Sequence, residues 1–200
     1  MMDSRTSILQ GIAENKPKTI VPLPDLNFDQ DAEIGLYKFI ASASLNGSRV
    51  YRITDLTELK KHIKENFSSS NRVLTTISGL KDVEGQQVEF SEDEDPHNLE
   101  NIDLAILKAH FGVSENGALW LTEELLMHRV LPFITQHLIL VLNENEIVTS
   151  MNQAYEKIGT KDYNYGVFIS GPSKTADIEQ SLVIGAHGAR SLEIFLIQNN

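Results

Sequence analysis

The sequence predicts a single α/β domain with a mainly parallel sheet covered by helices, and three observations carry that expectation. Short, largely apolar runs at residues 104–107, 138–142 and 192–197 lack the polar alternation of a half-exposed strand, as strands buried on both faces do. Segments of helical period fall between such runs, so strands and helices alternate along the chain. The 200 residues, 41% of them hydrophobic, suffice for one domain with a substantial core and are too few for two comfortable ones.

The elements follow in order. Residues 4–14 have the length of a short helix, whereas residues 16–24 hold Pro17, Pro22 and Pro24 and read as an extended linker or arm, with a partner as its expected dock. Ile34, Tyr37, Ile40 and Ala41 recur near helical spacing, which predicts a helix over 29–44 that Asn46-Gly47 ends with a turn. Residues 1–45 are therefore read as an N-terminal helical arm and linker, and 46–200 as the domain proper. Residues 49–53 form the first strand, and Asp55 caps a helix running to about residue 67. Strands are expected at 72–77, 104–107, 119–121, 138–142 and 167–169, with a helix over 146–158 before the last of these. The excursion at 91–100, with Glu92, Asp93, Glu94 and Asp95, is most simply a solvated acidic loop, and a dock for a basic partner is its functional alternative.

Bulk properties exclude several classes. A net charge of -11, from 28 acidic and 17 basic residues, argues against nucleic acid or an acidic membrane surface as the main partner. There is no cysteine, so disulfides, a thiol nucleophile and thiolate ligands for iron–sulfur clusters or structural zinc are all ruled out. His110, His128 and His137 show neither i, i+4 pairing nor a carboxylate at a ligand-like interval, so no metal site is expected. The first ten residues lack an apolar secretory core and no run of eighteen apolar residues occurs, so the expected location is cytoplasmic. Trp120 and the apolar residues around it are read as core.

Two segments carry candidate chemistry. In residues 165–187, Gly171 and Pro172 break an apolar run, and 175–182 suit a helix with Asp177 and Glu179 in its first turn. Ser170, Gly171, Ser173, Thr175 and the free N–H groups of such a helix start would hold a phosphate or carboxylate, with Lys174 adding charge, or else Ser173, Lys174 and Thr175 simply cap and solvate that helix. Asp177 either complements the helix dipole or orients Lys174 or Thr175. His187, framed by Gly185 and Gly188, is a candidate general base or substrate contact, or else a turn histidine bonded to backbone. The second segment, 111–121, sets Glu115 beside Gly117 between two apolar runs. Glu115 is either a turn carboxylate accepting backbone N–H groups, a ligand contact, or a nucleophile activated by desolvation. Arg129 is a candidate to pair Glu115 or to grip a substrate carboxylate in bidentate fashion, or is a surface arginine.

The run Ser-Gly-Pro-Ser-Lys-Thr-Ala-Asp-Ile-Glu, the later Gly-Ala-His-Gly and the apolar strand at 192–197 resemble the end of the LUD domain, the lactate utilisation protein C family. The resemblance is strongest over 103–197, about half of the chain. It implies the fold shared by ribose-5-phosphate isomerase, glucosamine-6-phosphate deaminase and the CoA transferases. It also implies an accessory subunit in the oxidation of L-lactate to pyruvate, alongside two partner subunits. Iron–sulfur clusters are then expected only on those partners, with no cofactor in this chain. Where the family usually reads Ala-Glu-Thr-Gly-Thr, this chain keeps Glu115 and Gly117 but has Asn116 and Ala118 in place of hydroxyls. Ser114-Glu115-Asn116-Gly117 also resembles the CoA transferase motif whose glutamate attacks an acyl-CoA, although the glycine-rich oxyanion loop of those enzymes is absent. Three functions stay open: a lactate-utilisation subunit binding a small anionic ligand, a free-standing CoA-transferase-like or sugar-phosphate enzyme, and a non-catalytic interaction module. A homodimer is the default assembly for such a protein.

Overall fold

Residues 137–143 read as an unbroken apolar run because both of their faces are buried. Leu138, Leu140 and Leu142 join one core cluster and Ile139 and Val141 the other, the two-residue period of a strand inside a covered sheet. A computed structural model of the chain describes residues 3–17, 22, 32–68, 72–83, 86–87, 95–176, 182–185 and 187–198.

The chain opens with α1 (Ser4–Glu14) and α2 (Ala32–Leu45), then β1 (Arg49–Ile53), α3 (Leu56–Asn66), β2 (Arg72–Thr75), β3 (Gln86–Gln87) and β4 (Leu104–Lys108). It continues through β5 (Phe111–Val113), β6 (Ala118–Thr122), the short helices α4 (Glu123–Leu126) and α5 (Leu131–Ile134), β7 (His137–Asn143) and β8 (Ile147–Val148). The last elements are α6 (Met151–Ile158), β9 (Gly166–Ile169), β10 (Lys174–Ala176), β11 (Leu182–Ile184) and β12 (Ser191–Ile197).

The main sheet is parallel throughout, in the order β1-β12-β7-β4-β2-β3. The last strand is interior: Ile194 of β12 lies between Val50 of β1 and Leu140 of β7. On one face α3 inserts Leu59 and Ile63 against Ile106, Ile139, Val141 and Phe195, each such burial contributing about 1.5–3 kcal/mol. Asp55 caps this helix by accepting from Thr57 N at 2.6 Å, as its place before the first helical residue predicts. On the other face α2 carries Phe39 and Ala43, both fully buried, against Leu107, Leu140 and Leu142.

A second sheet, β8-β5-β6-β9, shares that other face, and its β5–β6 and β6–β9 pairs are antiparallel. Its Leu119 and Leu121 enter the main core, while Phe111, Val113 and Trp120 point outward and are covered by Ala154 and Ile158 of α6.

Two expected elements differ. The helix predicted over 146–158 starts only at Met151, because residues 147–148 pair with β5 and Ser150 takes the N-cap position. At both described ends of the helix predicted over 175–182 the chain is strand instead: 174–176 and 182–184 pair antiparallel with Thr175 opposite Val183, and 177–181 lie outside the described residues. Among the described residues no helix is long and apolar enough to cross a membrane.

Candidate functional site

Glu115 follows β5 in the turn that reverses into β6, and its side chain is exposed. Its Oε2 accepts the backbone N–H of Met151 at 2.8 Å. Met151 is the first residue of α6, so the carboxylate caps that helix and complements its dipole. Of the roles open to Glu115, backbone acceptor is the one its hydrogen bond displays.

Gly117 and Gly171 let two loops close on the end of α2. A Cβ on Gly117 (φ 65°) would stand 2.5 Å from Ala43 N, and one on Gly171 (φ 82°) 2.5 Å from Asn46 O, so any side chain would force the loops apart. Polar bonds lock the seam. Asn46 Nδ2 donates to Asn116 O and to Ser170 Oγ, both at 2.8 Å, and Ser170 Oγ donates to Asn116 O at 2.8 Å. Behind it, the Ser114 hydroxyl donates to Gly35 O at 2.6 Å and Ser42 Oγ to Ser114 O at 2.9 Å. Fold and hydrogen bonding thus unite Glu115, Gly117, Ser170 and Gly171, segments far apart in sequence.

Ser173 continues from this seam. Its N–H donates to Ala189 O at 2.9 Å and its carbonyl accepts from Gly185 N at 3.0 Å, while its side chain packs against Gly188. Lys174 is exposed and runs over Gly47, and Thr175 is a strand residue of the hairpin. Since no helix starts here, the expected free N–H groups of a helix terminus are not what these residues offer. His187 is exposed beside Gly188, and Asp177 lies outside the described residues. Arg129 is not with them: it grips Glu123 in bidentate fashion (2.6 and 3.0 Å) and sits 5.2 Å above the Tyr165 ring. That pairing holds the Glu123 carboxyl below its usual range.

A cavity of about 750 Å³ opens elsewhere, at the carboxyl ends of β4 and β7, the end at which parallel α/β sheets bind ligands. Lys108 and Ala109 reach it from β4, Asn143 from β7, Phe111, Trp120 and Thr122 from the second sheet, and Lys157 and Ile158 from the end of α6. Lys161, Asp162 and Tyr163 close it from the loop after α6. His110 is its central polar group, with Nε2 hydrogen-bonded to Thr122 Oγ1 at 2.6 Å and 3.4 Å from Glu124 Oε1. Burial holds this imidazole below its ordinary value; Glu124 works against that, and Lys161, Lys108 and Lys157 work with it. His110 is thus neutral near pH 7, able to accept or donate a hydrogen bond. The readable signal for this site was polar Lys108 and His110 just past a buried parallel strand, and the other lining residues come from segments that only folding brings together.

Among the described residues no cluster of three or more His, Asp or Glu suited to a metal occurs.

The LUD domain family pattern matches residues 79–197, more than half of the chain, and the chain belongs to that family. It is 25% identical to Lactate utilization protein C of Deinococcus radiodurans across 98% of this chain and 94% of that one. It is 29% identical to Lactate utilization protein C of Bacillus pumilus, where the match covers 50% of this chain and 44% of the relative. In fold it is similar to the crystal structure of a DUF162 family protein from Deinococcus radiodurans (TM-score 0.62, 17% identity, 84% of this chain and 99% of that one).

Proposed function

We propose that this chain is a cytoplasmic accessory subunit of an L-lactate utilisation system that binds a small anionic ligand and works with iron–sulfur partner subunits. The observation that carries this reading is the similarity to Lactate utilization protein C of Deinococcus radiodurans along nearly the full length of both chains. Oxidation of L-lactate to pyruvate releases two electrons and two protons. A chain without cysteine supplies no thiolate for an iron–sulfur acceptor, so the electrons pass to centres on the partners. The free-standing transferase reading fares less well, because the Glu115 carboxylate that would attack an acyl-CoA is exposed to solvent and caps α6 through Met151 N–H. A carboxylate nucleophile in such chemistry is expected in a desolvated site.

Reconstitution tests the assignment. Lactate-dependent dye reduction by the purified iron–sulfur partners is expected to rise when this protein is added and to fall when it is left out; equal rates in both mixtures refute the reading. Hydroxylamine-sensitive labelling of Glu115 after exposure to acyl-CoA is expected to be absent, and its appearance would transfer the assignment to the transferase class.

A further inference from the structure

The cavity beside His110 exceeds what a three-carbon acid requires. Its volume of about 750 Å³ falls in the range of about 300–1,000 Å³ typical of sites that enclose ligands of drug size. Its lining also offers a ring surface. Tyr163 is 39% exposed, with its ring perpendicular to that of Trp120 and centroids 5.3 Å apart, so part of a ring surface is available to a ligand.

The charges sort into engaged and available groups. Glu123 is tied to Arg129, and Glu146 to Lys157. Lys108 and Lys161 make no ion pair among the described residues. The opposing carboxylates are Asp162, whose Oδ1 accepts from Asn164 N at 3.4 Å, and Glu124, whose side chain is 73% exposed and well screened by water. The lining sets Lys108, Lys157 and Lys161 against Glu123, Glu124, Glu146 and Asp162, and with Lys157 tied to Glu146 the two of these lysines without an ion pair among the described residues are Lys108 and Lys161.

We propose that this cavity binds a ring-bearing organic anion, its anionic group held by Lys108, Lys161 and His110 and its ring against Tyr163. Thr122 fixes the imidazole through its 2.6 Å bond, so His110 presents a set orientation to the ligand. The anionic group is a phosphate, as in a mononucleotide, or a carboxylate on an aromatic ring. The proposal rests on the reading of this protein as an anion binder, but the ligand it names is not lactate.

Trp120 is the single tryptophan of the chain, so its fluorescence reports on this cavity. The full-length protein is titrated with adenosine monophosphate, nicotinate, L-lactate and inorganic phosphate. Saturable quenching by either ringed anion is expected, the nucleotide response identifying a phosphate site and the nicotinate response a carboxylate site. K108Q and K161Q are each expected to weaken that binding about tenfold, equivalent to about 1.4 kcal/mol. Y163A is expected to weaken it about fivefold while leaving any response to inorganic phosphate unchanged. K61A, on α3 across the main sheet, is expected to bind as the wild type does. The proposal is overturned if neither ringed anion quenches, if L-lactate or inorganic phosphate binds as tightly as they do, or if the lysine variants keep wild-type affinity. Tight L-lactate binding alone leaves the lactate reading standing; ringed-anion binding without any effect of this protein on lactate-dependent dye reduction removes that reading and keeps this site.

Discussion

At the scale of the residue, the most consequential polar group lies far from the candidate ligand site. Glu193 of β12 is 1% exposed inside the parallel sheet, with Oε2 2.7 Å from His62 Nε2 and Oε1 3.4 Å from Arg49. His62 is held in place by Tyr51 and Phe195, ring centroids 4.7 and 5.0 Å away. A carboxylate at this depth is tolerated only while its partners remain. Removing His62 strands it, so His62→Ala is expected to cost about 3–5 kcal/mol in urea unfolding. Arg49 is 65% exposed, and Arg49→Ala is expected to cost less than about 1 kcal/mol. Equal costs for the two variants would show that His62 is not the main partner. Glu115 teaches a different lesson: its motif is readable as a carboxylate in a glycine turn, but the amide it binds lies 36 positions further on. Whether such a carboxylate faces a substrate or a helix end depends on where that helix packs.

At the scale of the element, α6 shows how local and distant signals combine. Its eight residues are too few to hold a helix in isolation. Ser150 Oγ accepts from Gln153 N at 3.3 Å and Gln153 Oε1 accepts from Thr149 N at 2.9 Å, a reciprocal arrangement like a capping box but reaching one residue before the N-cap. Glu115 satisfies Met151 N, and Ala154 and Ile158 are buried. Ser150→Ala and Glu115→Ala are each expected to cost about 1 kcal/mol. Because both act on one turn, the double variant is expected to depart from additivity, with faster amide exchange at Met151 and Gln153. Strict additivity with unchanged exchange would mean that α6 is held by packing alone. Ser150 and Gln153 mark the true start of this helix, which the expected span of 146–158 placed too early. α3 and the buried strands of the main sheet were legible because their spacing and composition answer to the core directly. The hairpin at 174–184 was not: its strands are three residues each, and their pairing is supported by Ser173 bonding to Ala189 and Gly185. Such short segments take their conformation from tertiary context rather than from propensity. Beyond Lys108 and His110 the cavity was illegible for the same reason, since both sheets and several helical and loop segments supply its walls.

At the scale of the whole molecule, these local environments sum to a dependence of stability on pH. Burial lowers the imidazole values of His110 and His137 in the folded chain. The unfolded chain therefore takes up protons that the folded chain refuses, and their contribution to stability is lost as the pH falls below the ordinary histidine value of about 6.5. Asp55, Glu58, Asp82, Asp95 and Glu123 are lowered by hydrogen bonds, the first four to Thr57, Thr54, Lys60 and His97 and the last to Arg129. Their contribution persists above the ordinary carboxylate values near pH 4 and is lost below them. His97 runs the other way, since Asp95 raises it; what it adds is present below about pH 6.5 and lost as the pH rises through its folded value. Being fully exposed, it is too well screened to reverse the trend. The melting temperature is thus expected to be level from pH 8 to 7, to decline in a first step below about pH 6.5, and to decline again below about pH 4. His110→Gln with His137→Gln is expected to flatten the first step and leave the second. An undiminished first step in that variant would place the titrating groups elsewhere. A ringed anion beside Lys108, Lys157, Lys161 and Glu124 would favour the protonated His110, so saturating ligand is expected to shrink the first step in the wild type and to have no such effect in His110→Gln.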